Sequence, residues 1–190
     1  MDADYSVELG SEDPVLDFPW ADSSGRLAYV DLKRHPELIA KITETEKCPE
    51  LAEFLRSANS AGSRFQTAKC DVWVTEELVP EEEVFAASHK FASYVDIVFC
   101  ETAVCLSFPR HEQFVKRITA LLKRAPEISS AVEFCVRRCL FAHEPEVRDG
   151  FYITVYVNGY GNDELSAKKN WAIGLKLVEN AMLQLSVATE

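Results

Sequence analysis

The sequence predicts an α+β protein, a two-layer sandwich with a mainly antiparallel sheet of about five strands and helices packed on one face. Several segments place apolar residues at every second position, which is the spacing of a strand with one buried face. Other segments carry apolar residues three or four positions apart, which is typical of a helix packed on a core. The predicted strands do not alternate regularly with helices, so the pattern favours an antiparallel sheet.

The predicted strands follow from period-two alternation. In residues 91–100, for example, Val95 and Ile97 fall on one face while Tyr94 and Asp96 fall on the other. This alternation indicates a strand with one buried apolar face and one exposed polar face. The five predicted strands are residues 27–32, Phe65–Thr75, residues 91–100, residues 103–108 and residues 151–158.

Three Pro-Glu pairs mark predicted helix starts, at Pro36, Pro49 and Pro126. Proline fits the first helical position because its missing N–H has no intrahelical partner there, and the glutamate complements the positive end of the helix. The helix from Pro126 is predicted to extend over residues 126–142. Its apolar residues at helical spacing are Ile128, Val132, Cys135, Val136 and Cys139.

Two longer helices are predicted from apolar stripes, over residues 110–124 and residues 163–185. A short helix or loop is expected over the acidic residues 80–84. With the segments above, these helices supply the second layer of the sandwich.

One domain is expected for a chain of 190 residues. Residues 1–24 are expected to form an acidic arm, since no basic residue precedes Arg26. The arm also carries apolar residues, including Leu16 and Trp20, so it is expected to pack on the body, which is a single α+β domain over residues 25–190.

The acidic composition argues against two classes of partner. The chain has 20 basic and 31 acidic residues, a net charge of −11. Phosphate backbones and anionic lipid surfaces repel such a protein, so neither nucleic acid nor membrane is expected as a partner. No signal peptide or membrane span is evident, which predicts a cytoplasmic protein with its six cysteines reduced. No motif indicates a cofactor, a metal site or a catalytic residue.

The polar face of the predicted sheet is the candidate binding surface. If the apolar strand residues face the helices, the other side, here called the second face, collects aromatic and acidic side chains. Aromatic groups with polar tips suit ligand binding, and tyrosine and tryptophan are also enriched at protein interfaces. An exposed sheet face with cross-strand aromatic pairs is the plainer interpretation. The candidate residues are Trp73, Tyr94, Tyr152, Tyr156, Asp71 and Asp96. Lys69, Thr154, Cys105 and Ser107 are expected beside them.

The leading hypothesis is a non-enzymatic module that binds a second copy of itself, another protein or a small molecule through the second face. One alternative is a small hydrolase or metal-dependent enzyme that uses Asp71 and Asp96, because two close carboxylates share a proton or hold a cation. Another is a thiol redox sensor at Cys48, which precedes Pro49 at a helix start, where thiol pKa values fall.

Overall fold

The sheet has six strands and is mixed, with mostly antiparallel pairs. The structure is a computed structural model that describes residues 1–79, 82, 85–143 and 146–187. The strands are β1 (Asp2–Glu8), β2 (Val15–Phe18), β3 (Phe65–Thr75), β4 (His89–Phe99), β5 (Ser130–His143) and β6 (Glu146–Gly161). Their order is β1-β5-β6-β4-β3, and β2 pairs with the other end of β5. The predicted α+β class with a mainly antiparallel sheet is confirmed.

The two longest helices pack on one face of the sheet, and a short helix at Cys105 lies against Gly150 at the end of the other face. The helices are a 3-10 helix (Pro36–Lys41), α1 (Glu44–Lys47), α2 (Pro49–Ala58), α3 (Thr102–Cys105), α4 (Phe108–Leu122) and α5 (Glu164–Val187). Helix α5 packs on β6 and β4, where the buried Trp171 indole donates a hydrogen bond to Ser93 Oγ at 2.8 Å. The core lies between these layers, and Val95 and Val155 lie side by side in it. The opposite face is the second face.

Residues 1–24 contribute two strands to the sheet. Both β1 and β2 run parallel to β5, one after the other along it. Ala3 and Leu16 are buried, and the Trp20 indole donates a hydrogen bond to the Ala68 carbonyl at 2.8 Å. Strand β1 is one end of the strand order, and Ala68 belongs to β3 at the other end. The N-terminal segment therefore contacts the sheet at both of its ends.

Two predicted strands are wrong. Residues 27–32 form only an isolated bridge, between Ala28 and Ala21. Residues 103–108 fall on α3, the residues after it and the first residue of α4, so Cys105 and Ser107 do not lie on a strand. Their alternation of Val104, Leu106 and Phe108 was too short to separate a strand from a helix turn.

The helix predicted over residues 126–142 is also wrong, because this segment is mostly strand β5. The apolar spacing misled because both faces of β5 carry buried apolar residues, with Val132 and Val136 against the helices and Cys135 and Cys139 on the second face. A strand with apolar residues on both faces lacks the clean alternation that identifies strands. All six cysteines are free thiols, as expected.

The other predicted elements are present; β3 has the predicted ends, whereas the ends of β4, β6, α4 and α5 are shifted. Strands β3, β4 and β6, the helices that begin at Pro36 and Pro49, and the two long helices α4 and α5 all occur. The helix or loop expected over residues 80–84 lies outside the described residues, apart from residue 82. In the described part of the chain, no helix is long and apolar enough to cross a membrane.

Candidate ligand-binding site

The strand register places the predicted aromatic and acidic residues on the second face. Tyr94 pairs with Asp71 on one side and with Tyr156 on the other, while Asp96 pairs with Thr154. Directly paired residues project to the same face of a sheet. Trp73 shares this face through its alternation with Asp71 along β3.

Aromatic rings form a row across three strands of the second face. The ring centroids of Trp73 and Tyr94 are 6.5 Å apart, and those of Tyr94 and Tyr156 are 6.2 Å apart. Both spacings lie within the range of favourable aromatic pairs. Tyr152 also belongs to this face, but it is 4% exposed and therefore part of its floor.

Arg137 of β5 is the central residue of this face, and the sequence analysis missed it. It pairs with Tyr152 across the sheet, and its side chain is 12% exposed. Its Nε donates a hydrogen bond to Glu8 Oε2 at 2.7 Å, and its Nη1 donates to the Tyr156 hydroxyl at 3.0 Å. The hydrogen bond from Arg137 lowers the pKa of Glu8. Assigning residues 126–142 to a helix removed Arg137 from the predicted sheet.

A hydrogen-bonded relay connects Arg137 to Asp96. Arg137 Nη1 donates to Thr154 Oγ1 at 2.9 Å, and Thr154 Oγ1 donates to Asp96 Oδ1 at 2.7 Å. Burial raises the pKa of Asp96 to about 6, against the opposing effects of the Thr154 hydrogen bond and the charges of Lys69 and Arg137. Desolvation disfavours the carboxylate form. Asp96 therefore changes its charge close to neutral pH.

These side chains line a cavity of about 200 Å³. Residues from both edges of the sheet meet there, since Leu16 belongs to β2 and Lys69 belongs to β3. The sheet is thus curved around the second face. The lining residues are Pro14, Val15, Leu16, Lys69, Tyr94, Asp96, Arg137, Tyr152, Thr154 and Tyr156.

A larger cavity of about 420 Å³ lies next to the first one and shares Lys69 and Tyr94 with it. Its apolar lining comes mostly from the segment between β2 and β3. The Lys69 ammonium lies 4.9 Å from the centre of the Trp20 ring, at the boundary between the two cavities. The apolar lining residues from that segment are Trp20, Leu27, Ala28, Val30, Ile42 and Leu55.

Asp71 and Asp96 share a face but line different cavities. Asp71 is exposed, and its Oδ1 accepts a hydrogen bond from the Val72 N–H at 2.7 Å. Asp96 instead has Thr154 as its hydrogen-bond partner. Among the residues that the structure describes, no three His, Cys, Asp or Glu side chains are grouped to hold a metal ion.

The Cys48 thiol is not exposed at its helix start. Cys48 precedes α2, but it is 2% exposed, and burial raises its pKa. A reactive thiol needs access and a stabilised thiolate, and this environment provides neither.

Comparison of the chain with protein-family models, with curated proteins and with solved structures found no match. The arguments on function that follow are drawn from the geometry of the two cavities.

Proposed function

We propose that this protein is a non-enzymatic binding module that takes a small molecule in the cavity between Lys69, Asp96 and Arg137. The observation that carries the proposal is the buried charged relay on the second face, which borders open space instead of close-packed apolar atoms. Burying ionisable groups costs stability, so such a network is more typical of a functional site than of a core.

The size and lining of the two cavities also support a small molecule. Ligand sites are concave, mostly apolar and of roughly 300–1,000 Å³, with a few polar groups that fix orientation. The larger cavity falls in this range, and the smaller one supplies the polar groups.

Blocking the smaller cavity tests this proposal. Leu16 is buried in its wall, so Leu16→Phe adds volume there while Leu16→Met keeps the volume nearly constant. We expect fragments from a small-molecule library to bind the wild type and Leu16→Met, and to lose binding in Leu16→Phe, as measured by saturation-transfer NMR. Fragments should also shift the amide signals of Thr154 and Tyr156 in the wild type. A library that gives no hits, or hits that shift neither amide, contradicts the proposal.

Self-association is a second candidate, favoured by the exposure of Trp73. This side chain is 39% exposed on β3, which ends the strand order. Exposed edge strands with large apolar groups pair readily with another chain. If the protein is a dimer through this edge, Trp73→Lys should yield a monomer in a light-scattering concentration series, while Val147→Lys, at a 68% exposed position on β6, should not. A wild type that stays monomeric at every concentration excludes this candidate.

A further inference from the structure

The two cavities together indicate the chemical class of the ligand. We propose that the site takes a monoanionic carboxylate with an apolar tail, with the carboxylate between Lys69 and Arg137 and the tail in the larger cavity. The inference rests on the proposed function, since it specifies what that site binds.

Lys69 provides the first argument, because its ammonium makes no salt bridge among the described residues, although its charge favours the ionised form of Asp96. It lies over the Trp20 ring, lines both cavities and makes no hydrogen bond or ion pair within the described part of the chain. Lysine is a mobile point charge with three donors, which suits an anion that arrives from outside the protein.

Arg137 provides the second argument. Its Nε and Nη1 donate hydrogen bonds to Glu8, Thr154 and Tyr156, and the guanidinium is also hydrogen-bonded to the Tyr152 side chain. The guanidinium is therefore fixed in place at the wall of the smaller cavity. A cation held rigidly beside a flexible one is suited to the two oxygens of a carboxylate.

The charge balance indicates one negative charge on the ligand. Glu8 already compensates Arg137, which leaves Lys69 and Asp96 as the remaining charged groups around the smaller cavity. With a proton on Asp96, the site carries one unpaired positive charge. A dianion such as a phosphate monoester would bring a second, uncompensated charge into a buried place.

The orientation of the ligand follows from the acidic groups of the larger cavity. Glu44 and Asp71 line it and are balanced by Lys41 and Lys69, so the larger cavity offers no net positive charge to a carboxylate. Its apolar lining, with Trp20, Ile42 and Leu55, instead suits a hydrocarbon or aromatic tail. Lys69 lies at the boundary between the two cavities, and so between the carboxylate and the tail of the ligand.

The test is isothermal titration calorimetry with four carboxylates: hexanoate, octanoate, decanoate and 4-phenylbutyrate. Each is compared with its uncharged amide. We expect at least one carboxylate to bind about tenfold more tightly than its amide, because the charge-assisted contacts are lost in the amide. Lys69→Met should remove this tenfold preference, and Lys69→Arg should keep most of it. Lys41→Met, which changes a lysine of the larger cavity only, should alter the affinity less than threefold.

The pH dependence gives an independent measurement. An anion beside Asp96 binds better when that carboxyl is protonated, so affinity should rise about tenfold from pH 7.5 to pH 6. Asp96→Asn should remove this rise. Burial raises the pKa of the neighbouring Cys70, Tyr94 and Tyr152 to about 12, so these three groups titrate outside this window. The titratable or charged groups that face Asp96 are Lys69, Cys70, Tyr94, Arg137, Cys139 and Tyr152.

The outcomes separate this inference from the proposed function. Carboxylates that bind no better than their amides, or a preference that survives Lys69→Met, overturn the carboxylate inference. If the amides or other fragments still bind and still shift Thr154 and Tyr156, the proposed binding site stands. If neither the carboxylates nor any fragment binds, both are overturned.

Discussion

Asp96 contributes to the candidate binding site, but its buried carboxyl lowers the stability of the fold when it ionises. The residue is 5% exposed, and burial raises the pKa of its carboxyl from 3.8 to about 6. The folded protein then holds a proton more tightly than the unfolded chain, so the free energy of unfolding falls as pH rises from about 4 to about 6. A difference of about two pKa units corresponds to roughly 3 kcal/mol.

Asp96→Asn should remove this loss of stability. Asparagine keeps an oxygen that accepts the Thr154 hydrogen bond but carries no charge to desolvate. Relative to the wild type, we expect the variant to gain about 3 kcal/mol in free energy of unfolding between pH 4 and pH 7, measured by urea denaturation. Asp71→Asn is the control, since that side chain is exposed, and it should show no such gain. If the free energy of unfolding changes with pH in the same way in the wild type and in Asp96→Asn, the pKa of Asp96 is not raised.

At the residue scale, the sequence predicted which side chains share the second face, but not the hydrogen-bonded relay or the two cavities. Alternation along β4 and β6 was sufficient to bring Tyr94, Asp96 and Tyr156 together, since a period of two fixes which side chains share a face. The relay needed Arg137, whose strand was assigned to a helix. The two cavities depend on the curvature of the sheet and on the segment between β2 and β3, and no local pattern encodes either.

At the element scale, β6 and α5 approach each other more closely than side chains usually allow. A Cβ at Gly159 would collide with the backbone nitrogen of Trp171, and one at Gly161 would collide with Ser166 Oγ. The sequence analysis did not foresee this role, since a glycine that permits close approach of a helix looks the same as a turn glycine. Asp163 then begins the helix, with its Oδ1 accepting a hydrogen bond from the Ser166 N–H at 2.7 Å.

Gly159→Ala should therefore destabilise the fold. The added methyl group meets backbone atoms of α5, which do not move aside as a flexible side chain would. We expect a loss of about 2–3 kcal/mol in free energy of unfolding, within the usual range for overpacking. Gly62→Ala is the matched control because nothing lies within 4 Å of its added Cβ, and it should change the stability by less than about 1 kcal/mol. Equal effects of the two changes in thermal denaturation would contradict the close approach.

The success of element prediction depended on whether each strand has one polar face. Strands β3, β4 and β6 alternate, and all three were predicted, β3 with the ends it has in the structure, β4 with small shifts and β6 too short at both ends. Strand β5 carries buried apolar residues on both faces, so its apolar residues also fit a helical spacing. Strand β1 does alternate, but its acidic residues Asp2, Asp4 and Glu8 were interpreted as part of an arm.

At the scale of the whole molecule, the N-terminal segment holds the sheet together across its width. Strands β1 and β2 complete the pairing of β5, and Trp20 bonds to β3 at the far end of the strand order. The segment also supplies the Leu16 wall of the smaller cavity and the Trp20 wall of the larger one. Stability and the binding site therefore depend on the same 20 residues.

Deletion of residues 1–20 should abolish cooperative unfolding rather than leave a stable remainder. Leu16 is 2% exposed, so the single change Leu16→Ala should lower the free energy of unfolding by about 2–5 kcal/mol, as is usual for a buried leucine. The deletion removes that contact together with the hydrogen bonds of two strands, against a total stability of roughly 5–15 kcal/mol. We expect no sigmoidal transition for the truncated chain in thermal denaturation followed by circular dichroism.

Leu27→Ala is the control for Leu16→Ala, since Leu27 is 66% exposed, and it should change the stability by less than about 1 kcal/mol. A truncated chain that melts cooperatively near the wild-type temperature would show that the body folds without its N-terminal strands. In that case the exposed edge of β5 should make the truncated chain associate with itself, because an uncovered edge presents unpaired N–H and C=O groups. Light scattering on the same sample distinguishes that outcome from a stable monomer, which would contradict the structural role assigned to β1 and β2.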